Sequence, residues 1–182
     1  MRDSSDTRRF EQVMMPHLNA AYNLARWLTR NEQDAEDIVQ ESYLRAFKFF
    51  EGFRGEHGRA WLLGIVRNTC YTWRQKNQAH LHAAYDDESA DPEVQSVVMT
   101  EHGPESIAAR HDDLRILKDA LSKLPMEFRE VVVLRDLEDF SYKEIAEIAE
   151  IPIGTVMSRL ARGRKLLLAH LMQVKQGVYD GM

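Results

Sequence analysis

The chain has 182 residues and a formal net charge of −5, and its 44% hydrophobic and 29% charged residues are typical of a globular rather than a disordered protein. No apolar run approaches the ~20 residues that a membrane-spanning helix needs, and the N-terminus lacks the apolar core of a secretory signal. The negative total does not exclude nucleic acid as a partner, because binding depends on local patches of positive charge.

The charges fall into alternating blocks. Residues 31–56 contain seven acids and three bases, whereas residues 57–85 contain four bases and no acid. Residues 86–113 contain nine acids and one base, and residues 151–179 contain five bases and no acid. This segregation predicts two basic surfaces that bind a polyanion and acidic surfaces that bind something else.

The N-terminal part is predicted to be a helical bundle that ends near residue 78. Apolar residues at three- and four-residue steps run from Phe10 to Leu28, and Pro16 should kink or break this first helix. Asn31 is predicted to cap the next helix, whose inner face extends to Phe50. A glycine-containing loop over residues 52–58 then precedes a helix predicted over about residues 59–76.

The second predicted helix carries a polar stripe made of Asp34, Asp37, Gln40, Glu41, Arg45 and Lys48. Acids in the first turn are favoured by the helix dipole, which explains Asp34 and Asp37. Glu41 is placed to pair with Arg45 four residues later. From the residues alone, we interpret this stripe as a solvated face.

The helix after the glycine loop combines a predicted core face with a cationic face. Trp61, Trp73 and Cys70 are assigned to the core, and a single cysteine excludes an internal disulfide and suits the reducing cytoplasm. The other face combines positive, amide and aromatic groups: Arg54, Arg59, Arg67, Asn68, Tyr71, Arg74 and Lys76. Such groups suit opened or single-stranded DNA, although solvated arginines around a tryptophan core explain the pattern equally well.

Residues 79–103 are predicted to be a flexible linker, because the acidic run over residues 86–93 has no helical periodicity. The apolar run over residues 94–99 is explained equally well as a partner contact or as a collapsed patch. His80 and His82 form the closest histidine pair of the chain, but no further metal ligands accompany them. A metal hydrolase is therefore disfavoured, and we expect no catalytic site and no cofactor.

The C-terminal part is predicted to be helical as well, with Pro125 at a first helical position. Ser141 and Glu144 have the spacing of a capping box, which would open a short helix. After a turn at Glu150, a further helix should begin at Pro152. Its inward residues are predicted to be Ile153, Val156 and Leu160.

The outward face of this last helix is predicted to carry small, hydroxyl and basic groups: Thr155, Met157, Ser158, Arg159, Arg162, Arg164 and Lys165. Two short helices that cross through a tight turn are typical of a helix-turn-helix, whose second helix enters the major groove. Arginine can pair with guanine there, and hydroxyl groups can reach phosphates. The absence of acid favours this interpretation over a merely solvated basic face.

Taken together, these segments resemble the extracytoplasmic-function sigma factors, which are subunits of bacterial RNA polymerase with two conserved domains. The resemblance covers nearly the whole chain in the right order. It is carried by residues 34–41, 53–56, 61–62, 66–68, 124–125, 128–131, 141–146 and 152–160.

The resemblance implies an all-α protein with sigma domain 2 over residues 1–78, a linker over 79–103 and sigma domain 4 over 104–182. It implies that core polymerase contacts Asp34, Asp37, Gln40 and Glu41. It implies that the minus-ten element contacts Arg54, His57, Arg59, Arg67, Asn68, Tyr71, Arg74 and Lys76. It implies that the minus-thirty-five element contacts Tyr142, Lys143, Thr155, Met157, Ser158, Arg159, Arg162, Arg164 and Lys165. An anti-sigma factor is a further implied partner.

The sequence departs from the family pattern at three places. Between Glu56 and Trp61 it is about one residue shorter than the common pattern and lacks the usual apolar residue, so the resemblance does not identify the captured minus-ten base. Glu150 stands where the turn between the two helices usually has glycine, so a left-handed Glu150 would cost on the order of 1 kcal/mol. Met157 stands where many relatives carry a cation, so we expect an apolar contact or none. The alternative kept open is a dimeric helix-turn-helix regulator, which would need its own dimer interface.

Overall fold

A computed structural model describes residues 4–84 and 104–179, and for residues 79–84, 104–108 and 178–179 it describes the backbone alone. The segment predicted as the acidic linker lies, from residue 85 to residue 103, outside the described residues. The described ranges contain eight α-helices and no strand, so the all-α prediction is confirmed. The helices are α1 (Ser4–Met14), α2 (Leu18–Thr29), α3 (Glu32–Phe49), α4 (Gly58–Ala84), α5 (Pro104–Ser122), α6 (Met126–Val132), α7 (Tyr142–Ala149) and α8 (Ile153–Tyr179).

The N-terminal helices α1–α4 form as the local sequence signals predict. Pro16 lies in a 3₁₀ turn, Met15–His17, which separates α1 from α2. The side chain of Asn31 accepts a hydrogen bond from the Asp34 amide at 2.9 Å and so caps α3. The bundle core includes Leu24, Leu62 and other apolar residues that are fully buried.

The C-terminal helices α5–α8 surround a second set of buried residues. After α6, a π-helical turn (Val133–Leu137) carries the chain to Asp139, which has a φ of 55°. Phe140 is fully buried directly after this turn. At Gly163, α8 approaches α6 so closely that an added Cβ atom would lie 2.9 Å from Val132 and 3.3 Å from the Phe128 carbonyl oxygen.

Three details differ from the predictions. Helix α4 continues to Ala84 rather than ending near Lys76, because no glycine or proline stops it there. Pro125 has an extended ψ of 143° and precedes α6 instead of belonging to its first turn. Ile153 is 43% exposed rather than inward, because α8 begins beyond its contact with α7 and first enters the core at Val156.

The two sets of helices are in direct contact. Helix α4 lies against α7, and α2 lies against α6, so that one continuous apolar core includes buried residues of both sets. At the crossing of α4 and α7, a Cβ atom on Gly64 would lie 3.9 Å from the backbone of Ile148. A Cβ atom at this distance is in ordinary van der Waals contact, so alanine would fit at position 64, and a longer side chain would have to enter the space between the two helices.

Candidate nucleic-acid interface

The helix-turn-helix consists of α7 and α8. Its capping box is formed, with the Ser141 hydroxyl accepting from the Glu144 amide at 3.1 Å and the Glu144 carboxylate accepting from the Ser141 amide at 2.8 Å. Glu150 has φ 56° and ψ 44°, so the residue at this turn adopts the left-handed conformation. The turn closes through the amide of Ile151, which donates to the carbonyl of Ala146.

The outer face of α8 is largely open to solvent. Ser158, Arg162 and Lys165 are exposed, Met157 is 50% exposed, and Thr155 is half-buried. A shallow groove between α6 and this face is lined by Glu127, Phe128, Thr155, Ser158, Arg159, Ala161, Arg162 and Lys165. A cationic groove on a helix that follows a tight turn is a surface that a duplex backbone can occupy.

Three predicted contact residues at the edge of this surface differ in their surroundings. Arg164 binds Asp136 through two hydrogen bonds of 3.1 and 2.6 Å, and the pKa of Arg164 is raised mainly by this contact. The ring of Tyr142 is half-buried, with the Arg135 guanidinium 5.0 Å from its centroid. Lys143 is exposed. Arg164 therefore braces α8 against the π-helical turn, whereas Lys143 projects into solvent.

The predicted minus-ten surface lies on α4 and on the loop before it. Some of its residues are exposed to solvent, and others contact the C-terminal helices. Arg54, His57, Asn68 and Lys76 are exposed. Three other predicted residues contact the C-terminal helices instead, namely Arg59, Arg67 and Arg74. Glu147 and Glu150 of the α7 region also lie across a groove from the loop residues Arg54 and His57. The C-terminal helices thus cover part of this surface.

Arg67 forms the most buried of these contacts. Its Nε and Nη2 atoms donate to the two carboxylate oxygens of Glu130 at 2.9 and 3.2 Å, and the Glu130 side chain is completely buried. The guanidinium also lies 3.8 Å from the centroid of the Tyr71 ring. Burial alone would lower the pKa of Arg67, but the hydrogen bond and charge of Glu130 outweigh it, and the pKa is raised. Burial, helped by the Glu130 charge, raises the pKa of Tyr71 to about 12.

Arg59 makes a second, more exposed contact. It donates to the backbone carbonyl of Glu138 at 2.7 Å and to its carboxylate at 3.2 Å, and it lies 4.1 Å from the centroid of Phe140. Asn23 of α2 donates to the same carboxylate at 3.2 Å. Burial raises the pKa of Glu138, and the contacts with Asn23 and Arg59 offset only part of that effect. Farther along α4, a guanidinium nitrogen of Arg74 lies 2.9 Å from the sulfur of Met126.

The acidic stripe lies on α3, away from these contacts. Asp37, Gln40 and Glu41 are exposed, and Glu41 forms the expected ion pair with Arg45. Asp34 is half-buried, and its pKa is raised mainly by burial and secondarily by the charge of Asp37. A row of exposed acceptors on one helix can bind a basic partner surface.

Sequence reasoning missed the C-terminal residues that bind the arginines of α4, namely Met126, Glu130, Glu138 and Phe140. Glu130 did carry a signal, because it lies four residues after Met126 and four before Leu134, on the apolar face of the predicted helix. A charge at a helical core position needs a buried partner. The pattern does not identify that partner, which lies 63 residues earlier in the chain.

Within residues 4–84 and 104–179, no cluster of three or more histidine, cysteine, aspartate or glutamate side chains could hold a metal ion. None of the helices described in those ranges is long and apolar enough to cross a membrane. The side chains of His80 and His82 lie outside the described residues. Cys70 is buried, and burial raises the pKa of its thiol to about 12.

Comparisons with known proteins agree with this architecture. Residues 13–80 match the model of sigma-70 region 2, and residues 114–167 match sigma-70 region 4. The chain is 32% identical to the ECF RNA polymerase sigma-E factor of Haemophilus influenzae, over 89% of this chain and 87% of that protein. It is also 32% identical to the ECF RNA polymerase sigma factor SigE of Mycolicibacterium smegmatis, over 93% of this chain but 64% of that longer protein.

Two solved structures share the fold. The sigma factor RpoE from Bartonella quintana, in complex with the anti-sigma factor NepR, superposes with a TM-score of 0.73 at 27% identity, covering 91% of this chain and 98% of that one. CnrH, in complex with the cytosolic domain of CnrY, gives a TM-score of 0.62 at 26% identity, covering 92% and 90%. The chain therefore belongs to the extracytoplasmic-function family of RNA polymerase sigma factors.

Proposed function

We propose that this protein is a non-catalytic, cytoplasmic subunit that directs core RNA polymerase to a specific set of promoters and assists DNA opening. The observation that carries this proposal is the pair of cationic surfaces on α4 and α8, each in a segment without a single acid. Two separate surfaces suit two separate promoter elements. Family membership indicates the class of partner, which is RNA polymerase and promoter DNA. The exposed residues of α4 and α8 are the proposed contacts with that DNA.

The exposed face of α8 is the proposed reader of the minus-thirty-five element as duplex DNA. Arg162 and Lys165 are free to reach phosphates or base edges, and Thr155 and Ser158 offer hydroxyl groups beside them. Met157 offers an apolar contact to the same groove, such as a thymine methyl group.

The loop before α4 and the outer face of α4 are the proposed reader of the minus-ten element. Arg54, His57 and Asn68 are exposed around a groove that Phe53 and Trp61 also line. Cationic and aromatic groups around one groove suit a base that has left the duplex stack. Residues 1–78 would then act as domain 2 and residues 104–182 as domain 4.

The two readers cannot engage one promoter in the arrangement described above. The two elements are about 25 base pairs apart, which is about 85 Å of duplex at ~3.4 Å per pair. A compact chain of this length has a radius of gyration of only about 16 Å and a diameter of about 40 Å. We therefore infer that α4 and α7 separate when the protein acts.

The proposed site for core polymerase is the acidic stripe on α3, centred on the exposed Asp37. The proposed regulator is an anti-sigma factor, since the similar sigma factor RpoE was solved in complex with the anti-sigma factor NepR. In the arrangement described here, which we call closed, α4 lies against α7. A partner that binds both sets of helices at once would stabilise this closed arrangement by mass action.

In vitro transcription tests the proposal. Purified protein and core polymerase are incubated with genomic fragments, and the transcript starts are sequenced. Asp37→Arg should abolish holoenzyme formation and all of these starts, whereas Glu36→Arg should retain them. The control makes the same charge change at a neighbouring exposed residue that faces Tyr22. Full activity of Asp37→Arg would contradict the α3 assignment, and a wild-type protein that directs no start would contradict the function.

A further inference from the structure

The buried carboxylate of Glu130 lies between one arginine from each proposed DNA surface. Arg67 of α4 binds both of its oxygens at hydrogen-bond distance. Arg159 of α8 approaches from the other side, with its Nη1 atom 3.8 Å from Oε1 of the same group. Of these two arginines, Arg67 forms hydrogen bonds with Glu130, whereas Arg159 lies slightly farther from Glu130 than hydrogen-bond distance.

A carboxylate in this position requires a cation. An ionised group that is removed from water costs several kcal/mol unless a partner and hydrogen bonds compensate for it. Arg67 supplies that compensation only while α4 lies against the C-terminal helices. Arg159 belongs to the same set of helices as Glu130, and the close approach at Gly163 keeps α8 against α6. Arg159 therefore stays near Glu130 when α4 leaves.

We propose that Glu130 exchanges its arginine partner when the two sets of helices separate. In the closed arrangement it binds Arg67 and withholds it from DNA. In the open arrangement it binds Arg159 and holds that side chain in one orientation on α8. Glu130 is thus a positioning residue for Arg159, and its consequence for promoter recognition rests on the function proposed above.

The experiment measures hydrogen exchange of the arginine guanidinium groups by NMR in the free, full-length protein. In the wild type, the Arg67 side chain should be protected and the Arg159 side chain should exchange faster. In Arg67→Ala, exchange at Arg159 should slow by about tenfold, which is the size of effect that one net charge-assisted hydrogen bond gives. Unchanged exchange at Arg159 would overturn the proposal.

Gly64→Leu provides a second route that leaves both charged residues in place. The added Cβ atom already touches the backbone of Ile148 at 3.9 Å, so we expect the longer leucine side chain to push α4 and α7 apart. In this variant, hydrogen exchange of the Arg67 guanidinium should become faster, a loss of protection, and that of the Arg159 guanidinium should become slower, a gain of protection. Loss at Arg67 without the gain at Arg159 would contradict the exchange even if Arg67→Ala fails to fold.

Glu130→Gln in the Gly64→Leu background identifies the group responsible. The gain at Arg159 should disappear, whereas the control Asp119→Asn, an exposed carboxyl on α5 that pairs with Lys123, should preserve it. Persistence of the gain without the Glu130 charge would overturn the assignment. Because neither DNA nor polymerase is present, these results do not depend on the transcription experiment, and either proposal can fail without the other.

Discussion

The two proposed DNA surfaces have similar compositions but different surroundings. On α8, Arg162 and Lys165 face solvent beside an open groove. On α4, Arg59 and Arg67 are bound by acids from the other set of helices. A block without acids thus predicts a cationic surface, but it does not predict whether that surface is accessible. Accessibility depends on residues 63 and 79 positions farther along the chain.

The largest expected effect is on the accessible surface. Arg162→Ala should weaken binding to minus-thirty-five duplex DNA by roughly 1–3 kcal/mol, because an exposed arginine loses its contact with a base or phosphate. Arg159→Ala should weaken it by a similar amount. Lys175→Ala removes an exposed charge near the end of α8 and should have a much smaller effect. Binding is measured by titration at fixed salt, and an unchanged affinity for both arginine variants would remove α8 from the reader role.

The second prediction concerns the packing that presents α8. Gly163→Ala should lower the free energy of unfolding by about 1–3 kcal/mol, because the new methyl group meets Val132 and the backbone of Phe128. Gly154→Ala is the matched control, since nothing lies within 4 Å of its Cβ position, and it should be neutral or slightly stabilising. Denaturant unfolding measures both. Equal effects of the two substitutions would argue against close α6–α8 packing.

A smaller effect is expected in the turn between α7 and α8. Glu150→Gly should stabilise the protein by about 1 kcal/mol, because glycine adopts the observed left-handed conformation without a steric cost. A change of this size raises the melting temperature of a protein of this length by about 2–4 °C. A melting temperature that falls or does not change rejects strain at Glu150.

The smallest expected effect is at the second ion pair between the two sets of helices. Burial raises the pKa of Glu138 in the folded protein, so folding favours its protonated form. Stability from this group is therefore greatest below the unfolded pKa and is lost as the pH rises through the folded pKa. Glutamine does not titrate. As the pH rises through the folded-state pKa of Glu138, Glu138→Gln should therefore become more stable relative to the wild type. The opposite trend in pH-dependent unfolding would show that Arg59 outweighs the cost of burial.

Much of the fold could be predicted because its signals are local. The break at Pro16, the cap at Asn31 and the capping box at Ser141 each depend on residues within four positions of one another. The end of α4 was predicted too early, although no glycine or proline stops the helix before Ala84. Ile153 was predicted as inward because periodicity does not show where a helix first meets its neighbour.

The surface on α8 could be predicted from the sequence more completely than the surface on α4. The exposed face of α8 follows from spacing within one helix. The contacts of Arg59, Arg67 and Arg74 join segments that are distant in the chain, and no short-range pattern encodes them. Glu130 was detectable only as a charge on the apolar face of a helix, which predicts a buried partner without identifying it.

The separation of α4 from the C-terminal helices is the central claim, and an intramolecular distance tests it most directly. Spin labels at Glu11→Cys and Gln173→Cys would occupy exposed positions on α1 and α8, while the native Cys70 is buried, with a thiol pKa of about 12, and resists labelling. We predict one well-defined distance in the free protein and a much longer one in the active promoter complex with core polymerase. The same distance in both states would contradict the account.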